Sequence, residues 1–196
     1  MGTGDGGGRP LSTLPRPGRI DSATVYEGRI VRLSVDTVRF PDGSEGQMEM
    51  IRHAGASAVL PFVGGLLDPD PEVLLIRQYR YASDGYIYEI PAGMPEGPEE
   101  SWEECAHREL EEETGMRAQD MTPLTRIYTT PGFTDEVIHL FVATSLKSGE
   151  TSRDPDEFME VLRVAFSEVL EMVRDGRIVD AKSVATILYV ERFVRG

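Results

Sequence analysis

The chain has 196 residues, enough for one domain with a sizeable core plus a small appended element, and 40% of them are apolar, an ordinary globular share. A formal net charge of -14 and a pI near 4.6 exclude a general affinity for nucleic-acid phosphate or an anionic membrane surface. The single cysteine, Cys105, excludes an intramolecular disulfide and a thiolate-rich metal site; with no membrane-length or signal-like apolar run in the chain, the expected location is the reducing cytoplasm.

Residues 1–20 are rich in Gly, Pro and Arg and lack periodicity, so a flexible tail is expected there. Gly2, Gly4 and Gly7 match a dinucleotide-binding spacing, but no strand precedes them and the match is discounted. Between Val25 and His53 the alternation of Val31, Leu33 and Val35, the turn PDGSEG and the return QMEMIRH predict an antiparallel β-hairpin; residues 21–55 read as a small subdomain or dimerisation arm. Residues 56–196 follow as the main domain. ASAVLPFV and VLLIRQYRY read as consecutive strands and YIYEIPAG as a shorter one. Pro98 to Met116 reads as a helix. Strands resume in LTRIYTT, EVIHLFVATSL and MEVLRVAF, and the chain closes with one helix from about Ser167 to Arg174 and another capped by Asp180. Strands, a helix, more strands and terminal helices predict an α+β fold, an α/β/α sandwich with a mixed sheet and flanking helices.

The run RELEEETG, Arg108 to Gly115, packs four glutamates into about one and a half helical turns. On a helical wheel Glu109, Glu112 and Glu113 fall within an arc of roughly 100°, beside Trp102, Ala106 and Leu110, so the acidic arc borders the buried face. On a solvated helix a like-charge pair costs only about 0.2–0.5 kcal/mol. At the rim of a core, two carboxylates about 5 Å apart repel by about 3 kcal/mol at an effective dielectric near 20, enough to draw in a proton or a cation. Hard divalent ions such as Mg²⁺ and Mn²⁺ prefer oxygen ligands of this kind.

The stretch GMPEGPEESWEECAHRELEEETGM resembles the signature of the Nudix hydrolases, a Gly, five residues, a Glu, seven residues, then R-E-U-x-E-E-x-G-U with U aliphatic. The second half matches from Arg108 through Met116. In the first half Glu100 is in place but Met94 stands where Gly belongs, with Gly93 one position early, so the choice between Glu99 and Glu100 stays open. The resemblance implies a loop, helix and loop that hold Mg²⁺ or Mn²⁺ against a diphosphate. By position, Glu109 and Glu113 would be metal ligands, Glu112 a further ligand or water-mediated partner, and the Ala92 carbonyl another; Arg108 would pair with a neighbouring glutamate. Gly115 suits a left-handed helix stop on physical grounds alone.

IRQYRY, YEIPAG, TTPGFTDE and DGRIVDAKSVATILY make residues 25–192 similar to the ADP-ribose pyrophosphatase branch of that family. That branch implies hydrolysis of ADP-ribose to AMP and ribose 5-phosphate by a homodimer, with the catalytic base on the loop DPDEFMEV, where Glu157 and Glu160 are the candidates. It also implies substrate phosphate held by Arg80, with Arg77 nearby, and Glu136 near the terminal ribose. Met48 stands where some relatives carry a stacking tryptophan. Alternative readings are another nucleoside diphosphate sugar, such as GDP-mannose, as the substrate, or a module that binds ADP-ribose without cleaving it. His53, His107 and His139 show no ligand spacing and receive no role.

Overall fold

The structure, a computed structural model, describes residues 16–149 and 159–196, which fall into two compact units. The smaller comprises the described chain up to His53 together with Thr130–Asp135; the larger comprises Ala54–Thr129 and the described part of Glu136–Gly196.

The smaller unit is an antiparallel sheet of three strands in the order β1 (Gly18–Glu27), β2 (Arg32–Arg39), β3 (Glu45–Arg52). The expected hairpin is β2 and β3, in unbroken register from Arg32↔Arg52 to Arg39↔Glu45. β1 is a third strand that the sequence pattern did not reveal, and its first residues, Gly18 to Ile20, fall in the span read as tail. Every residue of β1 is exposed, so there is no buried face to impose a legible alternation. Its pairing with β2 is interrupted between Arg19 and Asp21 and between Thr24 and Tyr26. Asp36, 3% exposed, is the ionic centre of this unit. It accepts from Ser22 at 2.6 Å and Ser34 at 3.3 Å and pairs with Arg52, which also reaches Asp135 at 3.0 Å. The Ser22 hydrogen bond, with help from Arg52, holds the Asp36 carboxyl below its ordinary range despite burial.

The larger unit is built on a sheet in the order β10 (Met159–Ala165), β5 (Glu72–Arg80), β4 (Ala56–Val63), β9 (Val137–Ser148), β8 (Met116–Tyr128). β6 (Gly85–Glu89) pairs with β5, and β7 (Ala92–Gly93) with β4. Thus YIYEIPAG is two short strands on different partners, divided at Ile90 and Pro91, because a proline cannot continue the ladder. β4 and β9 are parallel and the other pairs antiparallel, which makes the sheet mixed.

Both faces of this sheet are covered. Ala58, Leu60 and Phe62 of β4 pack with Val73 and Leu75 against α2 (Phe166–Arg174) and α3 (Ala181–Val190), through Phe166, Val169, Met172, Ile187 and Val190. Val59, on the other face of β4, joins Phe141 and Ala143 against Ala106 and Leu110 of α1 (Trp102–Thr114). That is the α/β/α sandwich expected of the sequence. α3 starts at the expected cap, Asp180, which accepts from the Ser183 amide. α1 starts later than Pro98: Ser101 and Glu104 form a reciprocal capping box, and Gly115 ends the helix at φ 70°, in the left-handed region.

Candidate active site

α1 presents its acidic side next to β7. Leu110 and Ala106 are fully buried, which fixes the helix rotation, and Glu113, one turn on from Glu109, is itself only 3% exposed. Glu113 Oε2 accepts from the Ala92 amide at 3.1 Å, tying the helix to β7. The backbone of β7 runs so close to α1 that a Cβ on Gly93 would lie 2.0 Å from Glu109 Oε1. Position 93 is therefore a glycine for reasons of space.

Arg108 organises the remaining carboxylates. Its Nε donates to Glu100 Oε1 at 2.8 Å and its Nη2 to Glu100 Oε2 at 3.1 Å, a bidentate pair. Nη1 donates to Glu109 Oε1 at 2.7 Å and to Glu112 Oε2 at 2.9 Å, and Nη2 also reaches the Met94 carbonyl at 2.8 Å. The choice left open between Glu99 and Glu100 falls to Glu100 in this geometry. Its carboxyl is held below the usual range, first by the Arg108 hydrogen bonds. Arg108 thus holds three glutamates, not one.

The donor chemistry of this wall suits a hard divalent cation: carboxylate oxygens of Glu109, Glu112 and Glu113 and the backbone of Ala92, with Gly93 leaving room for the Glu109 carboxylate where a side chain would collide with it. Arg108 draws Glu109 and Glu112 to itself while Glu113 turns to Ala92. Among the described residues no three His, Cys, Asp or Glu groups are already closed into a cage. The one thiol nearby, Cys105, is buried, and that burial pushes its pKa up to about 11, so it supplies no soft ligand.

Strand alternation sorts the other expected site residues. Leu75, in the core against α2 and α3, shares a face of β5 with Arg77, whereas Ile76, Gln78 and Arg80 point to the α1 side. Arg80 binds Glu89 through Nε at 2.7 Å and Nη2 at 2.9 Å, and interacts electrostatically with Glu113. Arg77 instead lies over the Tyr86 ring, 4.5 Å from its centroid, and 3.8 Å from Glu160. Glu160 pairs with Arg77 across the β10–β5 register, so it too points to the α2 and α3 side and is not brought to the glutamates of α1. Glu157 lies outside the described residues. Glu136 accepts from Thr129 Oγ1 at 2.8 Å at the start of β9. Met48 sits on β3 opposite Asp36 in the smaller unit. His139 stacks on Trp102, with centroids 4.3 Å apart, in a packing role.

Sequence reasoning missed Glu89, 1% exposed, and Lys182, which pairs with it from α3. A lone glutamate inside the apolar run YIYEIP was the available signal, because a buried carboxylate demands cations. Gln78 was missed as well: it is 4% exposed, and its side-chain oxygen has no hydrogen-bond partner.

Comparison with known proteins identifies the family and the fold. The family described as NUDIX domain matches residues 45–186. The chain is 38% identical over 169 residues to an ADP-ribose pyrophosphatase of Bacillus subtilis (strain 168), covering 85% of this chain and 88% of that protein. It is 37% identical over 174 residues to a methanol dehydrogenase activator of Bacillus methanolicus, covering 88% and 91%. A crystal structure of an ADP compounds hydrolase shares the fold, with a TM-score of 0.77 at 23% identity over 93% of this chain and 96% of that one.

Proposed function

The chain belongs to the Nudix family of hydrolases, whose members generally use divalent metal ions, and on that premise we propose that it hydrolyses the diphosphate bond of ADP-ribose to AMP and ribose 5-phosphate with Mg²⁺ or Mn²⁺. One observation carries the reading: Arg108 gathers Glu100, Glu109 and Glu112 beside Gly93, while Glu113 is anchored to Ala92. A solvated acidic helix has no need of a central arginine or of a glycine cut to fit one carboxylate. The similarity to an ADP-ribose pyrophosphatase over most of both chains supports the choice of substrate.

Glu109, Glu112, Glu113 and the Ala92 carbonyl would hold the cation. Bound there, it would lower the pKa of a water and offset the charge of a diphosphate that a chain of net charge -14 otherwise repels. Arg108 keeps Glu100, Glu109 and Glu112 gathered at the wall. Arg80 offers a guanidinium on the same side of the sheet to a phosphoryl oxygen. A carboxylate must still take the proton of the attacking water. Glu160 points away from α1 and is engaged by Arg77, which favours Glu157 for that role.

The proposed assembly is a homodimer joined through the smaller unit, supported by the exposure of Ile20, Val25 and Tyr26 along β1. The proposed location is the cytoplasm. Among the described residues no helix is long and apolar enough to cross a membrane. GDP-mannose or another nucleoside diphosphate sugar remains the second reading on one observation: the smaller unit has Met48 and no tryptophan for a base to stack on, since Trp102 is engaged by His139. A panel of such sugars, incubated with Mg²⁺ in H₂¹⁸O and read by mass, tests substrate and cleavage site together. Preferred turnover of ADP-ribose with label in one product is expected, and preference for a guanine or uracil sugar would overturn the first reading.

A further inference from the structure

A carboxylate buried at the end of an apolar strand is tolerated only in the company of cations. Glu89 has two. Arg80 holds it bidentately, at 2.7 and 2.9 Å, and Lys182 pairs with its Oε2 from α3. Lys182 is in turn 3.0 Å from Asp180, which is fixed as the α3 cap by the Ser183 amide at 3.0 Å and hydroxyl at 2.6 Å. The Ser183 hydroxyl then accepts from the amide of Ile90, the residue after Glu89, at 2.9 Å. The chain of contacts runs from β6 to α3 and back, so Glu89 has little freedom to move.

The arrangement is lopsided in a telling way. The Glu89 side chain is 2% exposed and that of Lys182 is 10%, but that of Arg80 is 42%. With Nε and Nη2 bound to Glu89, the guanidinium plane is set, and its remaining edge, Nη1 with the second Nη2 hydrogen, is not used by Glu89. Lys182 takes up part of the Glu89 charge, so Arg80 is not fully neutralised by its own anchor. An ion pair present for stability alone has no reason to bury the acid and a lysine while leaving the arginine half open.

We propose that Glu89 and Lys182 are positioning residues that aim the outer edge of Arg80 at a phosphoryl oxygen of the substrate. This rests on the hydrolytic reading, in which Arg80 holds substrate phosphate. The test compares wild type with Arg80→Ala, Glu89→Gln, Lys182→Met and the Arg80→Ala/Glu89→Gln double variant. Three quantities are read: kcat and KM on the sugar turned over best, the Kd of inorganic pyrophosphate with Mg²⁺, and the melting temperature. Arg80→Ala and Glu89→Gln should each raise KM and the pyrophosphate Kd by about tenfold or more with kcat changed less. The double variant should be no worse than Arg80→Ala, since one interaction is lost once. Lys182→Met should raise both constants by a smaller factor. Effects of Arg80→Ala and Glu89→Gln that multiply would overturn the proposal, as would a Glu89→Gln that melts lower with KM and Kd unchanged. If Glu89→Gln does not fold, an unchanged Kd in Lys182→Met overturns it. A wild-type protein inert toward every sugar sinks the hydrolytic reading, whereas the pyrophosphate constants still decide whether Glu89 aims Arg80.

Discussion

Gly93 and Glu109 stand so close that a Cβ at position 93 would lie 2.0 Å from Oε1 and 2.1 Å from Cδ of the glutamate. The obstructing atoms are the far end of a flexible side chain, so an alanine there is accommodated by moving Glu109 and not by moving the sheet. Gly93→Ala should therefore fold with a melting temperature close to wild type and lose at least about 100-fold in kcat/KM, the scale of a misplaced catalytic group. Steady-state kinetics beside a thermal melt checks both halves; full activity would mean that the position of Glu109 does not matter.

Arg108 donates to Glu100, Glu109, Glu112 and the Met94 carbonyl. A lysine keeps the charge but has no planar fork, so Arg108→Lys leaves part of this set without donors. Loss of stability by about 2 kcal/mol in urea is expected, the scale of hydrogen bonds to charged groups, together with a fall in kcat. Stability and kcat both matching wild type would show that charge alone suffices.

Acid should weaken the fold through the same groups. The Arg108 hydrogen bonds hold the Glu100 carboxyl below its ordinary value near 4.5. Burial raises that of Glu89, but Arg80 and Lys182 together outweigh it and leave a net lowering. Their contribution is fully present above about 4.5 and is lost as the pH falls through the lower folded values. Urea midpoints between pH 7 and pH 3 should decline over that last stretch, more shallowly in Arg108→Lys. A flat profile would contradict the ion pairs.

Cys105 titrates the other way. Burial moves its thiol from 9.0 up to about 11, so at pH 8 the folded chain carries about 100-fold less thiolate than a free cysteine. Labelling by iodoacetamide should be slow until urea unfolds the protein. As pH rises from 9 toward 11 the unfolded chain sheds a proton that the folded chain keeps, so this group removes stability there. Rapid labelling of native protein would show that Cys105 is accessible.

Much of this was legible in the chain itself. The wheel placed Glu109, Glu112 and Glu113 beside the buried stripe, and Glu113 and Leu110 are buried together. Asp180 and Gly115 announced helix ends because their chemistry is local. The run ASAVLPFV read as a strand, and β4 is buried along nearly its whole length. What escaped notice depends on contacts distant in sequence or on no burial at all. Glu89 and Lys182 are 93 residues apart, and no periodicity links them. β1 is wholly exposed and leaves no hydrophobic alternation to read. The opposite facing of Arg77 and Arg80 was implicit in a period of two, but which face meets α1 becomes known only once Leu75 is seen in the other core.

The most direct measurement is the Mn²⁺-dependent turnover of ADP-ribose by wild type and by a variant with Glu109, Glu112 and Glu113 all changed to glutamine, with bound Mn²⁺ counted by electron paramagnetic resonance in both. Cation binding and turnover in wild type, both lost by about a thousandfold or more in the folded variant, is the expected result. Equal turnover and equal Mn²⁺ binding in the two proteins would contradict a metal-dependent site on α1.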